Sequence, residues 1–268
     1  MEQEIKIGLV AGRGNLPFEA LREIKERGKE TVIVGLSGEV DPTLKNNADY
    51  YTELPPGQLG KIIDYLQGYE LAELVFAGKV GKEALFRGGF DPFCQQMLAG
   101  LPQKNDDAIL LAIVEAFEQK GLHVAKQTEY LQHILAPSGL LVGEAITANE
   151  AIDLELGFRM AKASGELDIG QSVIVKSGMV LAVEAIEGTD QAIQRGGTLG
   201  GPGSVIVKVS KPKQDERFDV PTVGVSTIQS MIAVGASLLG IEAKKTLMLE
   251  FERMQSLALE HHIKIVSL

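Results

Sequence analysis

The first half of the chain alternates unbroken apolar runs with amphipathic ones, and no other feature restricts the fold as strongly. IKIGLVAG is a β-branched apolar run that ends in Gly12. PFEALREIKERG comes next, with Phe18, Leu21 and Ile24 at helical spacing and Gly28 as a stop. ETVIVGL is a second apolar run. QLGKIIDYLQG then places Leu59, Ile62, Ile63 and Leu66 on one helical face. ELVFAGKV is a third run. NDDAILLAIVEAFEQKG sets Ile109, Ala112, Ile113, Ala116 and Phe117 on one side, and LHVAKQ reads as a further short strand. A strand that is apolar at every position must be covered on both faces. Such strands, separated by amphipathic helices, predict a parallel sheet with helices on both sides.

The pattern breaks over residues 128–150. TEYLQHILAPSGLLVG is apolar but has no clean period, so a domain junction is expected near residue 132. The second half opens with a helix, NEAIDLELGFRMAKASG. SVIVKSGMVLAVEAIEG then reads as a hairpin around Lys-Ser-Gly. A short helix is expected from GTDQAIQRGG, capped by Thr189 or Asp190. SVIVKVSKP is a strand. VPTVGVS, a helix from Thr227 to Leu239, KTLML, a helix through FERMQSLALEHH, and IKIVSL complete the chain. The predicted fold is α/β in two domains. Residues 1–131 form a Rossmann-like parallel sheet with helices on both faces. Residues 132–268 form a mixed α/β domain that carries EGTD and DVPTVG.

Charge and cysteine usage narrow the functions. The formal net charge is −10 over 268 residues, which argues against a nucleic-acid partner. Cys94 stands alone, so the chain has neither a disulfide nor a cysteine metal site. No apolar run is long enough to span a bilayer, and the acidic start MEQEIKIGLV is unlike a signal peptide. A cytoplasmic protein is expected. His123, His133, His261 and His262 lack metal-ligand spacing, which argues against zinc. A metal here would be held by oxygen, which suits Mg²⁺.

Several segments carry candidate chemistry. AGRGNLP, residues 11–17, joins a strand to a helix, where glycines let backbone approach a phosphate. Pro17 stands where a dinucleotide fingerprint wants its third glycine, so NAD binding is disfavoured. The plainer reading is a tight turn with Asn15 as helix cap. FAGKV ends the third strand, near the same sheet edge, with Lys79 as a phosphate partner or a solvated lysine. Asn105 is expected to cap a helix, with Asp106 and Asp107 facing its dipole. AVEAIEGTD ends a buried strand in three acids. Strand alternation sends Glu184 and Glu187 to opposite faces unless the chain bends at Gly188. Asp219 precedes Val-Pro, which forces Val220 extended.

Taken together, AGRGNLP, FAGKV, NDDAIL, LDIGQSVIVKSGMVLAVEAIEGTD and KPKQDERFDVPTVGVSTI resemble the LpxI-type UDP-2,3-diacylglucosamine pyrophosphatases of lipid A biosynthesis. The resemblance spans nearly the whole chain. It implies a Mg²⁺-dependent hydrolase that cleaves UDP-2,3-diacylglucosamine to UMP and 2,3-diacylglucosamine 1-phosphate (lipid X), with water attacking the phosphorus on the sugar side. It makes Asp219 the essential acid. It places ligand contacts at Asn15, Val80, Gly81, Gln171, Thr189 and Asp190. Asp219 and Asp190 are the expected metal-binding acids, with Glu184 and Glu187 undecided. Peripheral contact with the inner membrane and a homodimer are further expectations. The segment LQHILAPSGLLVG and the stretch around Met231 are candidate walls for the acyl chains. Alternatives are hydrolysis of another nucleotide sugar, or nucleotide or lipid binding without catalysis. Arg13 stands where the family often has a small residue, and residues 83–94 match no motif.

Overall fold

The computed structural model describes residues 5–81, 89–102 and 106–268. The chain folds as two compact units. The first runs to Leu131 and also takes in Glu216–Phe218, and the second holds Gln132–Asp215 and Asp219–Leu268.

In the first unit, β1 (Lys6–Ala11), α1 (Leu16–Glu26), β2 (Glu30–Leu36), β3 (Tyr50–Leu54), α2 (Leu59–Gln67) and β4 (Leu71–Ala77) follow in order. They build a parallel sheet in the order β3-β2-β1-β4. The apolar runs fill it as expected: β1 and β2 are buried at every position after their first residue. Val10, Val32, Val34 and Leu74 pack with Ile62, Ile63 and Leu66 of α2 and with Phe117. Phe117 belongs to α4 (Asp106–Gln119), which follows α3 (Pro92–Ala99) and precedes α5 (Gln127–Tyr130). The expected cap Asn105 lies outside the described residues.

Two elements of this unit differ from expectation. YYTEL forms β3, an edge strand whose exposed positions hide it from an apolar-run search. LHVAKQ makes only one bridge, Val124 to Leu74, instead of a strand.

Glu216–Phe218 is also a correction, because the sequence places it in the second half. Phe218 is 6% exposed and joins the first unit's core. Around it, Gln127 N–H donates to the Glu216 carbonyl at 2.7 Å, and Arg217 pairs with Glu118 at 2.9 Å.

The second unit contains β5 (Gly139–Val142), α6 (Ala148–Glu166), β6 (Ser172–Lys176), β7 (Met179–Val183), α7 (Thr189–Gly200), β8 (Val205–Lys208), β9 (Thr222–Val223), α8 (Val225–Val234), β10 (Leu238–Ile241), β11 (Leu247–Met248), α9 (Phe251–Glu260) and β12 (Lys264–Ser267). Its main sheet runs β5-β12-β10-β8-β6-β7 and is mixed; β9 and β11 form a separate parallel pair. Strand alternation divides the core by face. Val173, Val175, Val205 and Val207 pack with Leu154 and Ala161 of α6. Ile174, Ile206 and Leu239 face the other way, toward Ala192 and Ile193 of α7, Ile228 and Met231 of α8 and Met254 of α9.

The expected hairpin is present, with a two-residue turn. Lys176 pairs with Met179, and Ser177 and Gly178 have φ of 51° and 75°. Both turn N–H groups donate to the Asp153 carboxylate, at 2.8 and 2.6 Å. The expected helix to Leu239 ends earlier, at Val234, because Gly235 takes a left-handed cap at φ 66°. The residues beyond it become β10. Among the described residues, no helix is long and apolar enough to cross a membrane.

Candidate active site

In the first unit, the ends of β1 and β4 converge. Gly12 N–H donates to the Ala77 carbonyl at 2.8 Å, and Arg13 and Lys79 exchange backbone hydrogen bonds of 2.7 and 2.9 Å. This approach excludes side chains: a Cβ on Gly12 would lie 2.5 Å from the Lys79 carbonyl oxygen. Asn15 occupies the cap position of α1 but makes no side-chain cap bond, so its carboxamide is not committed to the helix. Val80 is 45% exposed. Gly81 N–H donates to Glu39 Oε2 at 3.2 Å, and the Arg13 guanidinium donates to the same oxygen at 2.7 Å. The structure therefore sets Asn15, Val80 and Gly81 along one carboxyl edge of the sheet, where ligands of such sheets bind. It also explains Arg13, whose charge meets a carboxylate that is only 2% exposed.

In the second unit, a polar cluster closes the carboxyl end of β8. Lys208 is the last residue of that strand and pairs in register with Ser172. By alternation both point to the α7 face, opposite Val207 and Val173. Lys208 is 9% exposed. Its ammonium donates to Thr189 Oγ at 3.1 Å and to the Thr222 carbonyl at 3.0 Å. Thr189 Oγ donates to Glu184 Oε1 at 2.9 Å and lies 3.4 Å from Ser172 Oγ. The other Glu184 oxygen and Gln171 Oε1 are buried and have no hydrogen-bond partner among the described residues. Gly170 brings Gln171 here, since a Cβ at Gly170 would stand 2.1 Å from the Glu184 carbonyl oxygen.

The three acids of AVEAIEGTD separate. Gly188, at φ 84°, is the cap of α7, so Thr189 and Asp190 fall in its first turn instead of capping it. Glu184 turns inward to Thr189. Glu187 pairs with Arg195, whose hydrogen bond holds its carboxyl below the ordinary carboxylate value. Asp190 accepts from Ser230 Oγ at 3.1 Å. Asp219 is exposed and stands three residues before Thr222. Its backbone is left-handed, at φ 58°, a conformation that aspartate tolerates better than most residues. The Gln214 carboxamide donates to its carbonyl at 2.8 Å.

Sequence reasoning missed Lys208, Ser172 and Glu39. Lys208 left one trace, a charge set inside the apolar run SVIVKVS. Glu39 left none.

The chain matches the family model of the LpxI N-terminal domain over residues 6–134 and that of the LpxI C-terminal domain over residues 137–266. It is 31% identical over 260 residues to the UDP-2,3-diacylglucosamine pyrophosphatase LpxI of Caulobacter vibrioides, covering 92% of this chain and 91% of that protein. The chain belongs to the LpxI family. Solved structures similar to parts of this LpxI-family chain include the biotin carboxylase domain of Hydrogenobacter thermophilus 2-oxoglutarate carboxylase, at 17% identity and a TM-score of 0.28 over 66% of this chain. Another is the biotin carboxylase subunit of pyruvate carboxylase, at 16% identity and a TM-score of 0.29 over 64% of this chain. The matches span 36% and 35% of those chains.

Among the described residues of this LpxI-family chain, no three Asp, Glu, His or Cys side chains are grouped to hold a metal ion by themselves. Mg²⁺ does not need such a group. It keeps several waters and takes one or two carboxylates together with phosphate oxygens. Asp190 and Asp219, both exposed, suit that mode, and the unpartnered Glu184 oxygen adds an anionic acceptor to the cluster.

Proposed function

We propose that this protein hydrolyses the diphosphate of UDP-2,3-diacylglucosamine, releasing UMP and 2,3-diacylglucosamine 1-phosphate (lipid X), with Mg²⁺ as cofactor. The observation that carries this reading is the 31% identity to a pyrophosphatase of that name along 92% of the chain. Water attacks the phosphorus on the sugar side. A P–O bond to water forms, the bond to the bridging oxygen breaks, and UMP leaves with that oxygen. Asp219 orients the water and accepts its proton. Its left-handed backbone and the Gln214 bond fix the main chain from which that carboxylate projects.

Asp190 and Asp219 would hold the metal. When bound, Mg²⁺ supplies charge neutralisation on the phosphoryl oxygens. The Thr189 hydroxyl has its one proton committed to Glu184, so contact with the substrate falls to backbone N–H groups in the first turn of α7, which favour anions. Gln171 Oε1, buried and without a partner, is an acceptor for a hydroxyl or amide N–H of the sugar.

Met231 cannot line an acyl site, because it is fully buried in the core. Ile169 and Ile186, 51% and 91% exposed, flank the Gly170–Glu184 contact and suit acyl chains better. We place the reaction in the cytoplasm, with peripheral contact at the inner membrane.

The test is UMP release from UDP-2,3-diacylglucosamine with and without EDTA. Asp219→Ala should abolish release while the circular dichroism spectrum is unchanged. Full activity in that variant ends the assignment. Equal turnover of UDP-N-acetylglucosamine would move it to another nucleotide sugar.

A further inference from the structure

Lys208 carries more than its place at a strand end requires. Burying an ammonium is costly unless its N–H groups are satisfied, and an apolar residue of similar volume often serves stability as well or better. Yet β8 runs Val205, Ile206, Val207 and then Lys208, at 9% exposure. Two acceptors of its charge are neutral oxygens, the Thr189 hydroxyl and the Thr222 carbonyl.

The two acceptors have functional neighbours. Thr189 opens α7, and the next residue is Asp190. Thr222 opens β9, and an extended stretch of three residues, at most about 10 Å, separates it from Asp219. One ammonium thus ties together the segments that bear both candidate metal-binding acids.

The hydrogen bonds also have one direction. Lysine only donates, so Thr189 must accept from it. The single hydroxyl proton of Thr189 is then directed to Glu184 Oε1, at 2.9 Å. Lys208 to Thr189 to Glu184 is a fixed chain, and it sets the rotamer of the first residue of α7.

We propose that Lys208 is a positioning residue for the hydrolysis. It acts through Thr189 and Thr222 to hold the α7 N-terminus and the lead into β9 at a set separation, and its charge favours the anionic transition state nearby. This inference rests on the hydrolase reading given above.

The experiment compares Lys208→Met, Thr189→Val, the double variant and Lys208→Ala in the full-length protein. Lys208→Met should lower kcat by about 100-fold, with KM changed only a few-fold. The fall in kcat should exceed any fall in the folded fraction at the assay temperature, read from thermal unfolding of the same variant. In the double variant the two losses should be far from multiplicative, since one chain of bonds is broken twice. Propylamine should restore part of the activity of Lys208→Ala. The inference is overturned by an unchanged kcat in Lys208→Met, or by a loss that follows melting temperature and resists the amine. A parent protein that releases no UMP overturns the hydrolase reading and this inference with it, whereas a parent that turns over beside an unaffected Lys208→Met removes the inference alone.

Discussion

Glu39 sits in LSGEVD, a stretch with no sequence signature, and yet its side chain is 2% exposed and receives both Arg13 and the Gly81 N–H. A carboxylate so placed holds the turn after β1 and the loop after β4 to one oxygen. Glu39→Gln keeps the shape and removes the charge. The Arg13 guanidinium loses its ion pair, and Gly81 keeps at best a neutral acceptor. We expect a loss of about 1–3 kcal/mol of stability, the usual effect of weakening a buried charged hydrogen bond. KM should rise about tenfold through the loosened Val80–Gly81 loop while kcat changes little, which urea unfolding and steady-state kinetics would check. An unchanged KM would separate Glu39 from ligand binding. Residues like this are illegible in a single sequence because their partners are remote: Glu39 is 26 positions from Arg13 and 42 from Gly81. The opposite case is Glu184 and Glu187. Alternation already set them on different faces, and only the identity of each partner, Thr189 or Arg195, required coordinates.

The same contrast holds between elements. Continuous apolar runs gave away β1, β2, β4, β6 and β8, because a strand buried on both faces leaves no other pattern. Edge and short strands went unread: β3 mixes exposed tyrosine and glutamate, and β10 hides behind a helix that continues its apolar composition. Only the left-handed Gly235 divides the two. The ends of β8 and β10 are fixed by a buried network the sequence did not signal. Glu242 Oε2 accepts from Lys162 at 2.6 Å and from Ser210 N–H at 2.9 Å, and Oε1 accepts from Lys245 at 3.0 Å. Burial alone would raise the Glu242 carboxyl, but the hydrogen bonds from Lys162, Lys245 and Ser210 outweigh it and hold it below its ordinary value of 4.5. A lowered folded-state value means that the stabilisation is present above the unfolded value and disappears as pH falls through the folded one. Glu242→Gln should therefore be less stable than the parent by about 3 kcal/mol at neutral pH. The gap should close as pH drops below 4.5, where the parent carboxyl protonates. Thermal unfolding of both proteins between acid and neutral pH would check it, and a constant gap would contradict it.

At the scale of the whole molecule, the linear sequence suggests two successive domains, but the chain returns. Glu216–Phe218 folds with the first unit, and the next residue, Asp219, is counted with the second. The sequence hid this because DERFDVP looks like any polar loop, and its one aromatic residue has no period to mark it as core. Phe218 packs with Val10, Phe117 and their neighbours at 6% exposure. The residue that bears the proposed water-orienting carboxylate directly follows, in the chain, one whose side chain lies in the first unit's core. Two consequences follow from that bond. A fragment of residues 1–131 lacks Phe218 and should lose about 3 kcal/mol relative to the same unit in the intact chain, the usual cost of an emptied phenylalanine site. A peptide spanning residues 211–222 should bind the fragment and restore most of the loss, whereas the same peptide with Phe218→Ala should not. In the full-length protein, Phe218→Ala should lower UMP release well beyond any loss of folded protein, because the main chain at Asp219 loses its fixed neighbour. If the fragment is equally stable with and without the peptide, and Phe218→Ala turns over normally once corrected for folded fraction, then Phe218 fills a core without setting the position of Asp219.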